Sequence, residues 1–183
     1  DVIGFDLAGP EVGFSVLNHS EACALALKNN INVTLHADWE VAEGIKEVVI
    51  DSNARRVGHG SQIINDISLN GDEISFQSSA AKYVFDNNIP LEICPTSNVQ
   101  CGAYSNVSEH SFGALFNAGF NVTINTDNRL MSDITMSEEV NNVVESFGLD
   151  EKDILGITRN TIKAGFVNVE LKNKALEKVS RLY

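Results

Sequence analysis

The sequence predicts an α/β fold built from parallel strand–helix units. Two observations predict it. Five short apolar, β-rich runs alternate with segments of helical period. Each run also ends in polar residues of chemically active types, and in parallel α/β folds the C-terminal strand ends form the active face.

The runs are Val2–Leu7, Val33–Leu35, Arg56–Gly58, Leu91–Cys94 and Val122–Asn125. They are short and nearly all apolar, as strands buried on both faces are. Between them, Asn18–Leu27 is Ala/Leu-rich and stops at Lys28-Asn29-Asn30. Val41–Ile50 sets Val41, Ile45, Val48 and Val49 on one helical face. Glu73–Phe85 repeats the period with Ile74, Ala81, Val84 and Phe85. Ser108 is placed to cap a helix over Glu109–Ala118 that stops at Gly119. Three further helices are predicted, Ser137–Phe147 ending at Gly148, Asp150–Ala164 with Asp150 and Asp153 as its cap, and Glu170–Leu182. No repeat or linker divides the chain, so residues 1–183 read as a single domain. Five such units fit a five-stranded open sheet or part of a (β/α)8 barrel, which takes ~250 residues.

Composition narrows the partners. The 183 residues carry a net charge of −12, against the basic surface that nucleic acid demands. A neutral small molecule fits that charge best. No apolar run approaches the ~20 residues that span a bilayer, and no signal segment opens the chain. The three cysteines, Cys23, Cys94 and Cys101, suit reduced thiols in a cytoplasmic protein better than a disulfide framework or a paired zinc site. The chain starts at Asp-Val-Ile-Gly without an initiator Met, which suggests a fragment or a processed product.

The strand ends deliver Asp6, Gly9 and Glu11, then His36, Asp38 and Glu40, then Gly58-His59-Gly60, then Cys94-Pro95-Thr96-Ser97-Asn98, then Asn125-Thr126-Asp127-Asn128. His36, His59 and Asp127 are types that ligate zinc, whose open catalytic sites use three protein ligands and a water. Zinc lowers the pKa of that water, and Glu40 is placed to move protons beside it. Gly9, Gly58 and Gly60 would admit a ligand close to the backbone. Singly, each has a plainer reading: Asp127 as a helix cap, Gly-His-Gly as a turn, Glu40 as a solvated helix residue, Trp39 as packing. His19 and His110 lie in or near helices and are assigned to structure.

As a set, Asp6-Leu7-Ala8-Gly9-x-Glu11, His36-Ala37, Gly58-His59-Gly60, Cys94-Pro95-x-Ser97-Asn98 and Asn125-Thr126-Asp127 resemble the adenosine deaminases, in order and close to their spacing. The stretch Asn125–Ser132 resembles the bacterial branch, and the resemblance runs through essentially the whole chain. It implies the last five βα units of a (β/α)8 barrel plus C-terminal helices, with one zinc per complete site. It implies His36 and Asp127 as zinc ligands, His59 as the group orienting the attacking water, and Gly9 and Asn128 as purine contacts. The implied reaction is hydrolysis of adenosine to inosine and ammonia, with a Glu protonating the ring nitrogen.

Three departures stand out. The family's His-x-His motif, which brings two more ligands on the first strand, is absent, so the resemblance implies an N-terminal companion. The family's His-Ala-Gly-Glu is here His36-Ala37-Asp38-Trp39-Glu40, which sets Glu40 one residue late. Asn128 stands where many members have a second Asp. A related 6-aminopurine deaminase and a non-catalytic binding derivative are the alternatives.

Overall fold

The computed structural model describes residues 2–38, 41–71 and 73–181. Trp39 and Glu40 lie outside the described residues, as does the predicted end of the last helix at Leu182.

Five parallel strands form one sheet: β1 (Gly4–Leu7), β2 (Asn32–Ala37), β3 (Arg56–His59), β6 (Leu91–Ile93) and β7 (Val122–Ile124), in that spatial order. Between β3 and β6 the chain inserts an antiparallel hairpin, β4 (Ile67–Asn70) and β5 (Glu73–Phe76). The helices are α1 (Ser20–Lys28), α2 (Val41–Lys46, continued by a wider turn over Glu47–Asp51), α3 (Ser79–Asp86), α4 (Pro95–Gln100), α5 (Phe112–Asn117), α6 (Arg129–Ser132), α7 (Met136–Phe147), α8 (Glu151–Ala164) and α9 (Val169–Ser180).

Register explains where the core sits. Leu35, Val57, Leu91 and Val122 are cross-strand neighbours, so they form a row on one face. All four are at most 1% exposed and pack with Ile45, Val48, Val84, Phe112 and Leu115 from the helices. Burying a side chain of this kind contributes roughly 1.5–3 kcal/mol. The opposite face is polar, a departure from the nearly all apolar strands predicted. Thr34 donates to Glu92 at 2.7 Å, and Arg56 Nε lies 2.8 Å from the same carboxylate. The Arg56 guanidinium stacks 3.6 Å from the centre of the Phe166 ring. Both charges are half-buried, and pairing them offsets part of the cost of taking them from water.

Two predicted elements are corrected. Glu73–Phe85 is a strand followed by a helix. Glu73-Ile74-Ser75-Phe76 alternates with period two, Gly71 turns the hairpin at φ 60°, and the Ser78 hydroxyl caps α3 by accepting from the Ala81 amide. Ser108 does not cap a helix over Glu109–Ala118. Asn106 accepts from the Glu109 amide to close a short turn, Ser108 donates to Asn106, and α5 begins only at Phe112.

The other caps match the sequence. Asp150 and Asp153 form a reciprocal capping box, and Gly148 closes α7 at φ 65°. The three cysteines are free thiols, Cys23 and Cys94 being buried. Among the described residues no helix is long and apolar enough to cross a membrane.

Candidate active site

The ends of all five parallel strands converge on one rim, where two hollows of about 240 Å³ each meet at Ala8 and His36. The first is lined by Gly9, Glu11, Phe14, His19 and Glu47 among others. The second brings Asp6, His36, His59, Cys94, Asn125 and Asp127 together. The sequence-predicted His36, His59 and Asp127 therefore share one cavity, and Gly9 lines the hollow beside it.

Local backbone geometry aims two of these groups. His59 and Asp127 both adopt left-handed conformations, at φ 58° and 54°. For residues other than glycine this geometry is costly and gathers at functional sites. Gly58 makes room for His36, its register partner, because a Cβ there would stand 3.1 Å from the His36 Cα. Gly60, expected to open the backbone to a ligand, faces the core instead. A Cβ there would meet Leu91 at 2.8 Å, and its amide donates to the Ala37 carbonyl.

His36 and His59 meet edge to face with ring centres 4.8 Å apart. Nε2 of His36 lies 3.0 Å from Glu11 Oε1. Burial disfavours the charged ring of His36, but the Glu11 hydrogen bond and the surrounding carboxylates outweigh it and raise its pKa. Nε2 of His59 lies 3.8 Å from Asp127 Oδ2, and that oxygen accepts from the Ser97 hydroxyl at 2.7 Å. Burial pushes the Cys94 thiol pKa upward, with Asp127 and Glu139 adding to the effect, so Cys94 is held as a neutral thiol.

Asp38 turns away from any proton-shuttle role. It is 4% exposed, and its Oδ1 accepts from the Ser61 and Gln62 amides, capping the turn after β3. Its Oδ2 accepts from Asn98, and its own amide donates to Glu11 at 2.6 Å. Asn128 is exposed, and its side-chain oxygen accepts from the Met131 amide at 3.3 Å, capping α6.

Sequence reasoning missed the supports behind the rim. Asn98, Ser97 and Glu11 stood in the motifs without a role, and His110 was assigned only to structure. Glu139, from α7, is fully buried and accepts from the Thr96 amide at 2.9 Å. Nothing in local spacing marks a residue that reaches the rim from a distant helix.

Imidazole nitrogens and carboxylates around one cavity are the donor chemistry of a catalytic zinc. Among the described residues, however, no three His, Cys, Asp or Glu side chains stand together as a complete ligand set. His36, His59 and Asp127 supply donor types that fit part of such a ligand set.

Parallel strands with polar residues gathered at their C-terminal ends define the class, strand–helix units of the TIM-barrel kind, and solved structures bear out the fold. An adenine deaminase from Arthrobacter aurescens superposes with a TM-score of 0.85 at 20% identity, over 98% of this chain and 52% of that one. A zinc-bound amidohydrolase from Burkholderia ambifaria gives 0.77 at 19% identity, over 97% and 48%. The sequence model of the adenosine deaminase family matches residues 1–182. An adenosine deaminase of Mycobacterium marinum is 39% identical over 179 residues, covering 97% of this chain and 49% of the relative. The chain belongs to the adenosine deaminase family, and it spans about half the length of the curated relatives it matches.

Proposed function

We propose that this chain is the single-domain C-terminal part of a zinc-dependent deaminase that hydrolyses adenosine to inosine and ammonia, completed by an N-terminal segment of the same barrel. The observation that carries this is the meeting of His36, His59 and Asp127 in one cavity at three strand ends. Family membership gives the reaction class.

In this reading His36 and Asp127 hold the metal together with ligands from the N-terminal segment. Bound zinc would lower the pKa of its water toward neutrality. Ser97 restrains Asp127 by donating to the oxygen that faces His59. His59 directs its Nε2 at the space in front of Asp127, where it orients water and steadies developing charge. Gly9, at φ 152° and with nothing within 4 Å of a built Cβ, leaves its backbone open to a purine. Asn128 contacts a purine nitrogen through its amide, which both donates and accepts. Glu40 protonates the ring, since the other carboxylate of its segment, Asp38, is bound into the scaffold.

The test is zinc content and inosine formation, measured on the full-length protein. About one zinc per protein with turnover is the expected result. Glu40→Gln is expected to abolish turnover and keep the metal, and undiminished turnover would remove Glu40 from the mechanism. A full-length protein with neither zinc nor turnover would point to a purine-binding derivative of the family. Turnover of another 6-aminopurine in preference to adenosine would move the substrate and keep the chemistry.

A further inference from the structure

The buried groups behind the rim form a chain of hydrogen bonds with fixed direction. The Phe112 amide donates to Nδ1 of His110 at 2.9 Å. A backbone N–H can only donate, so Nδ1 is unprotonated and the proton of the neutral ring sits on Nε2. Burial, and then the neighbouring His59, lower the His110 pKa to about 4, which keeps the ring neutral. His110 is 3% exposed and lies against the Tyr104 ring.

Nε2 of His110 lies 3.2 Å from Oδ1 of Asn98 and donates to it. The amide nitrogen of Asn98 must then face the other way. It lies 2.8 Å from the Asp38 carboxylate, which can only accept, and 3.4 Å from Nδ1 of His59. Two independent partners thus fix the same amide orientation. A proton on Nδ1 of His59 would set two N–H groups against each other. The favoured tautomer carries it on Nε2, the nitrogen facing Asp127.

We infer that His110, acting through Asn98, is a positioning residue that fixes the tautomer of His59, so that an N–H rather than a lone pair faces the cavity in front of Asp127. The catalytic meaning of this relay rests on the function proposed above, but the relay itself is a property of the protein's own hydrogen bonds. It gives the rim a donor aimed where negative charge would develop, held from behind by groups that touch neither substrate nor metal.

Long-range 1H–15N correlation spectra of the metal-free full-length protein, with 15N-labelled histidine, read the tautomer directly. The chain has four histidines, and His59→Asn assigns the signals in question. Wild type is expected to show a protonated Nε2 and an unprotonated Nδ1 at His59. His110→Phe, which keeps a ring but no hydrogen bonds, should move both nitrogens toward a mixture of tautomers. His110→Gln can accept from Phe112 and donate to Asn98, and should restore them.

Asn98→Ala should likewise move His59 toward a mixture, because it removes the N–H group that faces Nδ1. That variant keeps the test decisive where His110→Phe fails to fold. A wild-type His59 protonated on Nδ1, or a folded His110→Phe or Asn98→Ala protein with unchanged His59 signals, overturns the relay. Absence of turnover alongside a protonated Nε2 at His59 would leave the relay standing and remove only the functional reading.

Discussion

A buried histidine held neutral has a consequence for stability that can be worked out in sign. The unfolded His110 ring takes up its proton near pH 6.5, whereas the folded ring does so only near pH 4. Between those values the unfolded state binds more protons, so stability falls as pH falls and the loss is complete below about pH 4. His36 works in the reverse sense. Its raised pKa favours the fold below the unfolded value and withdraws that support as pH rises through the folded one. The two are separated by comparing variants in metal-free protein. Urea unfolding of wild type and His110→Gln at pH 7 and pH 4.5 should show wild type losing on the order of 2–3 kcal/mol more than the variant across that interval. Equal losses would mean that His110 titrates in the folded protein as it does in water.

At the scale of elements, the rim depends on helices that contribute no candidate ligand. Helix α4 carries Ser97, which restrains Asp127, and Asn98, which faces His59. Its second residue, Thr96, donates its amide to the fully buried Glu139 in the first turn of α7. Among the described residues the other Glu139 oxygen is buried without a partner. Glu139→Ala removes an acceptor from a helix start and should cost about 1–3 kcal/mol, while Glu139→Gln keeps an acceptor and should stay within ~1 kcal/mol of wild type. Thermal unfolding of both decides it, and equal losses would show that volume rather than the hydrogen bond is what matters there. This joint was not legible in the sequence. The strands were, because each is a short apolar run closed by a polar motif. The hairpin was not, because Ile74, Ala81, Val84 and Phe85 fit a helical period as well as Ile74 and Phe76 fit an alternating one. Only the turn at Gly71 and the cap at Ser78 break the tie. The candidate site divides the same way. Strand-end residues His36, His59 and Asp127 could be read from chain order, but the partners of Asp38 and Asn98 depend on which loops fold back over the rim, and local spacing does not encode that.

For the whole molecule, the sheet is open at both sides. Strand β1 pairs only with β2, and β7 only with β6, so each has one unpaired edge among the described residues. Edges of this kind invite pairing with another chain. Beside β1 the surface is also apolar: Val2 is 73%, Ile3 55%, Val12 69% and Phe14 67% exposed. In the proposed barrel these edges and side chains are covered by the N-terminal strands, and the net charge of −12 offers only diffuse repulsion against association. Expressed by itself, the 183-residue chain should therefore sediment as concentration-dependent oligomers, and Ile3→Lys with Phe14→Lys should shift it toward monomer. Joined to its N-terminal segment, it should sediment as one species of defined mass, since the same edges are then paired within a closed sheet. A monomer from the isolated chain at tens of micromolar would mean that its own segments already satisfy the edges, and the case for completion by an N-terminal segment would lose its physical ground.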